Sequence, residues 1–364
     1  MRKRLLAGII LLLLPWILSL FWMRAARQST EAAAGTPAPS ETVATGILRI
    51  GKGTESGAET ELEAGVQSRA GTQSGTGMQS GEGTQPDGTD RRILMERDGI
   101  STYMALEDYL PGVIACQINP DYSLEALKCQ AVIARTYIYR LMDGRGEIQE
   151  EELDLDYLEE RTQTPDSDGA SMVRAKERIV ENLSRFRQAV QQTQHVVMKY
   201  DGRCILPLFH ARNNGRTRQG DAAYPYLQAV DSKWDTWRAD SELTKIWSLA
   251  DFAERINQIP EASLVTPDQL AGQIQTVKKD DSGYVLEMKI GAKTYSGEEI
   301  QYALGLSSSC FAFSVSGDEV KAVVRGSGHG YGLSQAGAEG MAAENWGYEE
   351  ILQYYYKNIL IVTE

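Results

Sequence analysis

Three short stretches of this chain carry the residue types from which a site could be built. The first is the corner Gln117-Ile118-Asn119-Pro120, where a proline separates one helical run from the next. On that second run Lys128 and Arg135 lie three or four residues from members of an apolar stripe, so each sits at the stripe's edge and faces inward. A cation there needs a carboxylate, a carbonyl or a ligand. Two readings stand side by side: a structural ion pair with an internal acid, or two donors lining a cleft that the Gln117 corner opens.

The second stretch, GSGHGYGLSQ at 326–335, follows a strand pattern and leads into a helix. Its alternating glycines let the backbone turn sharply and approach a ligand closely. The spacing is not that of a dinucleotide-binding loop, and no Gly-Lys-Ser/Thr closes it as a phosphate loop. Ser327, His329 and Gln335 are its candidate contacts. The third stretch is the polar turn HARNNGRT at 210–217, able to present His210, Asn213, Asn214 and Thr217 or simply to form an Asn-Gly turn. Cys204 beside His210 suggests zinc, but no second ligand pair is evident, so no metal or other cofactor is expected.

The elements that must hold these stretches read as an α+β domain over 91–364, in one lobe or two. Ile93 and Ser101 begin the arms of a hairpin around Asp98-Gly99. Helices are expected over 107–115, 123–142 and 171–192, the second with Ser123 as N-cap and a stripe through Leu124, Leu127, Ala131, Ala134, Ile138 and Leu141. A second hairpin is expected over 196–209, strands over 284–290 and 320–324, and helices over 335–344 and 348–357. The acidic stretch 147–168 reads as a surface insertion. Four cysteines (Cys116, Cys129, Cys204, Cys310) allow one or two disulfides whose pairing spacing does not reveal.

Over its whole length of 364 residues the chain carries a net charge of −13, which argues against nucleic-acid partners and against docking on anionic headgroups. Leu5 to Trp22 is 18 residues without a charge, about 27 Å of helix and enough to span a bilayer core. Arg2, Lys3 and Arg4 keep the N-terminus cytoplasmic. The rival reading is a cleaved signal peptide, but the apolar run is long for one and Arg24 spoils a small-residue cleavage site. Residues 1–26 are therefore expected to be a cytoplasmic stub and single-pass membrane anchor. Residues 27–90, rich in Gly, Ser, Thr and Glu, are expected to be a disordered tether spanning about 40–50 Å. The rest works outside the cytoplasm.

Together the segments resemble the stage II sporulation protein D family of peptidoglycan-degrading proteins, over nearly all of 91–364. Three blocks carry the resemblance: YLPGVIA at 109–115 with LEALKCQAVIARTY at 124–137; the 210–217 turn with Tyr226-Leu227; and GHGYGLSQAGA at 328–338 with ILQYYY at 351–356. The resemblance implies a septal lytic transglycosylase of forespore engulfment. Its substrate would be glycan strands stripped of stem peptides, and its partners an N-acetylmuramoyl-L-alanine amidase and a further membrane protein. Such chemistry needs one carboxylic acid, which protonates the leaving oxygen and then takes the proton of the attacking C6 hydroxyl. The family's catalytic glutamate lies in a Val-x-Ala-x-Glu-Met-Pro-like segment. Here VIACQINP at 113–120 puts Gln117 in its place. An amide neither donates a proton at neutral pH nor accepts one as a base. Asp121 is the better substitute among the nearby acids Asp108, Asp121 and Glu125, since Glu125 sits where it would cap a helix. The alternative is a catalytically silent glycan-binding scaffold that recruits the amidase.

Overall fold

The computed structural model describes residues 91–364 apart from 98, 159–168, 237–241 and 271. The expected membrane helix, the tether and the end of the acidic stretch lie outside the described residues. Among the described residues, no helix is long and apolar enough to cross a membrane.

β1 (Arg92–Arg97) and β2 (Ile100–Ala105) form the expected antiparallel hairpin, with Leu94 opposite Tyr103. Ile93 and Met95 alternate into the core, the two-residue period of a half-buried strand. α1 (Leu106–Ala115) follows directly. α2 (Leu124–Met142) starts where Ser123 Oγ accepts from the Ala126 amide and stops at Asp143, whose φ of 45° is left-handed. This helix is the axis of the larger lobe. One face (Ala126, Cys129, Val132, Ile133, Tyr137) enters one apolar cluster, and the other (Leu127, Ala131, Ala134, Ile138, Met142) enters a second. With core on both sides, the positions flanking its stripe are interior too, and that decides the fate of Arg135.

The first part of the acidic stretch docks onto the core. β3 (Glu147–Gln149) joins β1 in parallel and α3 (Glu150–Leu153) follows, burying Ile148 and Leu153. Tyr157 then stacks on Tyr109 with ring centroids 4.4 Å apart. α4 (Gly169–Gln192) leads to β4 (Val196–Tyr200) and β5 (Arg203–Cys204), a hairpin turned by Asp201 and Gly202, both at positive φ. The second arm expected to reach 209 ends at Cys204. β6 (Phe209–His210) is a separate strand with a partner far along the chain.

The smaller lobe has its own core around Phe252, Met288, Ile300 and Val320. It comprises β7 (Glu242–Ser248), α5 (Leu249–Asn257), α6 (Pro267–Leu270), β8 (Ile274–Lys279), β9 (Val285–Ile290), β10 (Lys293–Ser296), α7 (Gly297–Leu304), β11 (Phe311–Ser316) and β12 (Glu319–Arg325). Its strands form two three-stranded sheets, ordered β11-β12-β7 and β10-β9-β8. The chain then returns to the larger lobe as β13 (Leu333–Ser334), α8 (Gln335–Ala343), α9 (Tyr348–Tyr355) and β14 (Leu360–Thr363). β13 lies parallel to β6, placing Leu333 opposite Phe209 and Ser334 opposite His210. The α+β expectation holds, in two lobes.

Candidate functional site

The end of α1 delivers Gln117 to a buried contact between the first and third sequence blocks. Gln117 is 6% exposed, Gln130 on α2 0% and Gln335 on α8 4%. Gln130 donates its amide N–H to Gln117 Oε1 at 2.8 Å. Gln335 donates to the Gln117 backbone carbonyl at 2.8 Å and to Gln130 Oε1 at 3.1 Å. The chain of amides is directional, because Gln130 spends its oxygen on Gln335 and its nitrogen on Gln117. Gln117 is thereby fixed with its oxygen inward, and its amide nitrogen makes no hydrogen bond among the described residues. The corner's far end is held as well: Arg185 on α4 donates to the carbonyls of Pro120 and, at 2.7 Å, Tyr122.

A second network binds the polar turn to the glycine-rich loop. His210 Nδ1 donates to the Tyr331 carbonyl at 3.1 Å, and its Nε2 accepts from Asn213 Nδ2 at 3.2 Å. His329 Nδ1 accepts from the Tyr331 amide at 3.0 Å, while the ring also bonds the Phe209 backbone. The two rings lie 5.9 Å apart. Burial pushes His210 down to about 4 and His329 down to about 3, the latter helped by the neighbouring His210 and Arg218. Both rings are neutral struts with their nitrogens committed to protein partners. Gly332 shows why the loop needs glycine: at φ 67°, an added Cβ would lie 1.9 Å from the Leu208 carbonyl oxygen.

Asp235, fully buried, ties the same turn to the start of α8. It accepts from the Asn213 amide at 2.8 Å, from Ser334 Oγ at 2.5 Å and from Ser232 Oγ. Burial raises its pKa to about 6 against the pull of those hydrogen bonds. Arg218, 3% exposed, links the loop to the smaller lobe through Asp280 at 2.6 Å and Glu298 at 3.1 Å. Its guanidinium lies between the rings of Tyr284 and Tyr331.

The structure therefore brings together Gln117 with Gln335, and His210 with Asn213 and His329. Others stand elsewhere. Arg135 lines no cleft: it is fully buried, donates twice to Glu107 at 2.7 and 2.6 Å, and reaches the Val190 and Val196 carbonyls. This is the ion-pair reading, enforced by core on both faces of α2. Lys128 pairs with Glu125 at 2.6 Å, and Glu125 in turn accepts from the Tyr348 amide at the start of α9. Thr217 is buried, its hydroxyl accepting from the Val230 amide at 2.8 Å. Ser327 is half-buried and pairs through its backbone with Arg212. Asp121 is exposed beside the corner. Asp108 is not near it. It lines a cavity of about 210 Å³ with Glu107 and His195 at the opposite end of α1, about 13 Å along the axis from Gln117. All four cysteines are free, and each thiol is pushed up by burial. Among the described residues, no group of three or more His, Cys, Asp or Glu is placed to hold a metal ion.

Sequence reasoning missed Gln130, Asp235 and Arg218. Gln130 and Arg135 did carry a signal, since both are polar residues within the mostly apolar run CQAVIARTYI at 129–138. Asp235 stands between Trp234 and Trp237 in a stretch without a helical or strand period, so its burial leaves no local mark.

The fold is thus a two-lobed α+β domain whose polar site is assembled from the 117 corner, the 210 turn and the 328–338 segment. The family model described as Stage II sporulation protein matches residues 96–200. Stage II sporulation protein D of Bacillus subtilis (strain 168) is 30% identical over 261 residues, covering 70% of this chain and 74% of that protein. The protein of the same name from Bacillus amyloliquefaciens is 29% identical, covering 70% and 73%. A more distant relative, the Amidase enhancer of Bacillus subtilis (strain 168), is 23% identical over 70% of this chain and 40% of its own length. The chain belongs to the stage II sporulation protein D family.

Proposed function

We infer that the protein is a membrane-anchored, extracytoplasmic sporulation protein that remodels septal peptidoglycan, engaging glycan strands at the Gln117 corner. The observation that carries this is the buried chain Gln335–Gln130–Gln117. It joins two distant blocks and holds an amide N–H outward at the position of the family's acid. That donor suits a sugar hydroxyl or N-acetyl carbonyl. The Amidase enhancer among its relatives supports an amidase as a partner in the same task. A second reading keeps the grip and drops the cut: with Gln117 in place of an acid, the protein is a silent scaffold that brings the amidase to the strand.

Co-sedimentation of the full-length protein, in detergent, with peptide-free glycan strands tests the shared core of both readings. The wild type is expected to sediment with the strands. Gln117→Leu is expected to bind about tenfold more weakly, the worth of about 1.4 kcal/mol for one lost hydrogen bond. Absence of wild-type binding sinks the reading. Equal binding by Gln117→Leu moves the glycan contact away from the corner.

A further inference from the structure

With an amide at Gln117, a glycan-cleaving site needs its carboxyl group from another segment. Glu125 is committed to Lys128 and the Tyr348 amide, which leaves Asp121 and Glu339 to consider among the described residues. Asp121 is exposed, and its side chain makes no hydrogen bond or ion pair among the described residues. Glu339 is half-buried on α8, four residues after Gln335, so both side chains leave the same face of that helix. Gln335 reaches the Gln117 end of the corner; Glu339 reaches the other end, its Oε2 accepting from the Ser123 amide at 2.7 Å. The second Glu339 oxygen makes no hydrogen bond or ion pair among the described residues. One oxygen is thus fixed and the other is free to meet a ligand lying along 117–123. A group held in this way starts near its reacting geometry, whereas an exposed Asp121 must be ordered at each encounter.

We propose that Glu339 is the proton-transferring acid of this site, a step that rests on the glycan reading above. The Glu339 carboxyl gives its proton to the oxygen linking N-acetylmuramic acid to N-acetylglucosamine as the C1–O bond breaks. The leaving sugar departs with a free 4-hydroxyl. The resulting carboxylate takes the proton of the muramic C6 hydroxyl as O6 bonds to C1. The carboxyl is restored, the strand ends in a 1,6-anhydro sugar, and neither water nor a cofactor is consumed.

The test incubates the full-length protein, in detergent, with peptide-free glycan strands. It counts anhydro-ended fragments by mass spectrometry and follows co-sedimentation in parallel. The wild type is expected to release such fragments. Glu339→Gln can still accept from the Ser123 amide, and is expected to lose release by at least about 100-fold while binding within twofold of wild type. Glu339→Asp, which keeps a carboxyl on a shorter stem, is expected to retain part of the rate, and Asp121→Asn most of it. An unchanged thermal midpoint for Glu339→Gln separates lost chemistry from lost fold; were it to unfold, the ratio of Glu339→Asp to Asp121→Asn decides in its place. Wild-type release by Glu339→Gln, or loss of release in Asp121→Asn alone, overturns the assignment. So does a wild type that binds strands but yields no anhydro ends, a result that leaves the glycan-binding reading standing. Failure of the wild type to bind would remove that reading as well.

Discussion

Arg135→Ala is expected to lower the unfolding free energy by about 3–5 kcal/mol, measured by urea denaturation. The side chain is fully buried, and both of its bonds to Glu107 are charge-assisted and short. Its other donors satisfy the Val190 and Val196 carbonyls and the Thr193 hydroxyl where α4 gives way to β4. Truncation strands a carboxylate that is only 18% exposed, removes one donor from each of those acceptors and leaves a cavity in the middle of α2. Much of the cost is the stranded charge, so Arg135→Met combined with Glu107→Gln is expected to recover a substantial part of it. Glycan binding by whatever remains folded should match wild type, because Arg135 meets no solvent. A stability change below about 1 kcal/mol for Arg135→Ala would overturn the structural role and return the residue to the cleft reading.

Why the sequence left that choice open is a matter of geometry. A helical stripe reveals one buried face, and α2 has two, one for each of the clusters it divides. The 3-4 spacing found the helix and its N-cap but assigned its flanks to an edge that does not exist. The hairpin β1–β2 was legible because Ile93 and Met95 alternate cleanly beside an Asp-Gly turn. β6 and β13 were not, since two residues carry no period and their pairing is a parallel contact across the chain. In the smaller lobe β8 hid for a different reason. Its register against β9 shifts between Thr276 and Lys278, which breaks the two-residue alternation. α5 and α7 were readable in principle, each with a serine N-cap and the second with the Ser296–Glu299 capping box, but both are under three turns long. The site follows the same logic. Its motifs announced themselves by glycine and by unusual polar residues, whereas the bonds that join them, such as Gln335 to Gln117, span the chain and leave no local trace.

Acidification is expected to destabilise the larger lobe between about pH 6.5 and 4, although one group pulls the other way. His210 and His329 have folded pKa values near 4 and 3, against about 6.5 in the unfolded chain. Below pH 6.5 the unfolded state takes up their protons and the folded state does not, so stability is present above pH 6.5 and falls as pH drops. Asp235 has the opposite sign. Its folded pKa of about 6 lies above the unfolded value near 4, so through that window the folded state binds the extra proton and gains on acidification. Near pH 5 the unfolded chain holds about two more histidine protons and about one fewer aspartate proton. The net is one proton, a loss of about 1.4 kcal/mol per pH unit. Denaturant midpoints recorded from pH 7 to pH 4.5 check the slope. His210→Gln removes one of the two histidine contributions, leaving the remaining histidine and Asp235 nearly balanced, so its midpoint should be almost flat near pH 5 even though the variant is less stable throughout. Asp235→Asn should do the reverse and steepen the acid loss, because the one group that gains a proton on folding is gone. Opposite changes of slope in the two variants require that both groups be buried as the 210 turn and the glycine-rich loop place them. If both variants kept the wild-type slope, the neutral histidine struts and the raised aspartate could not be what holds the turn against the loop.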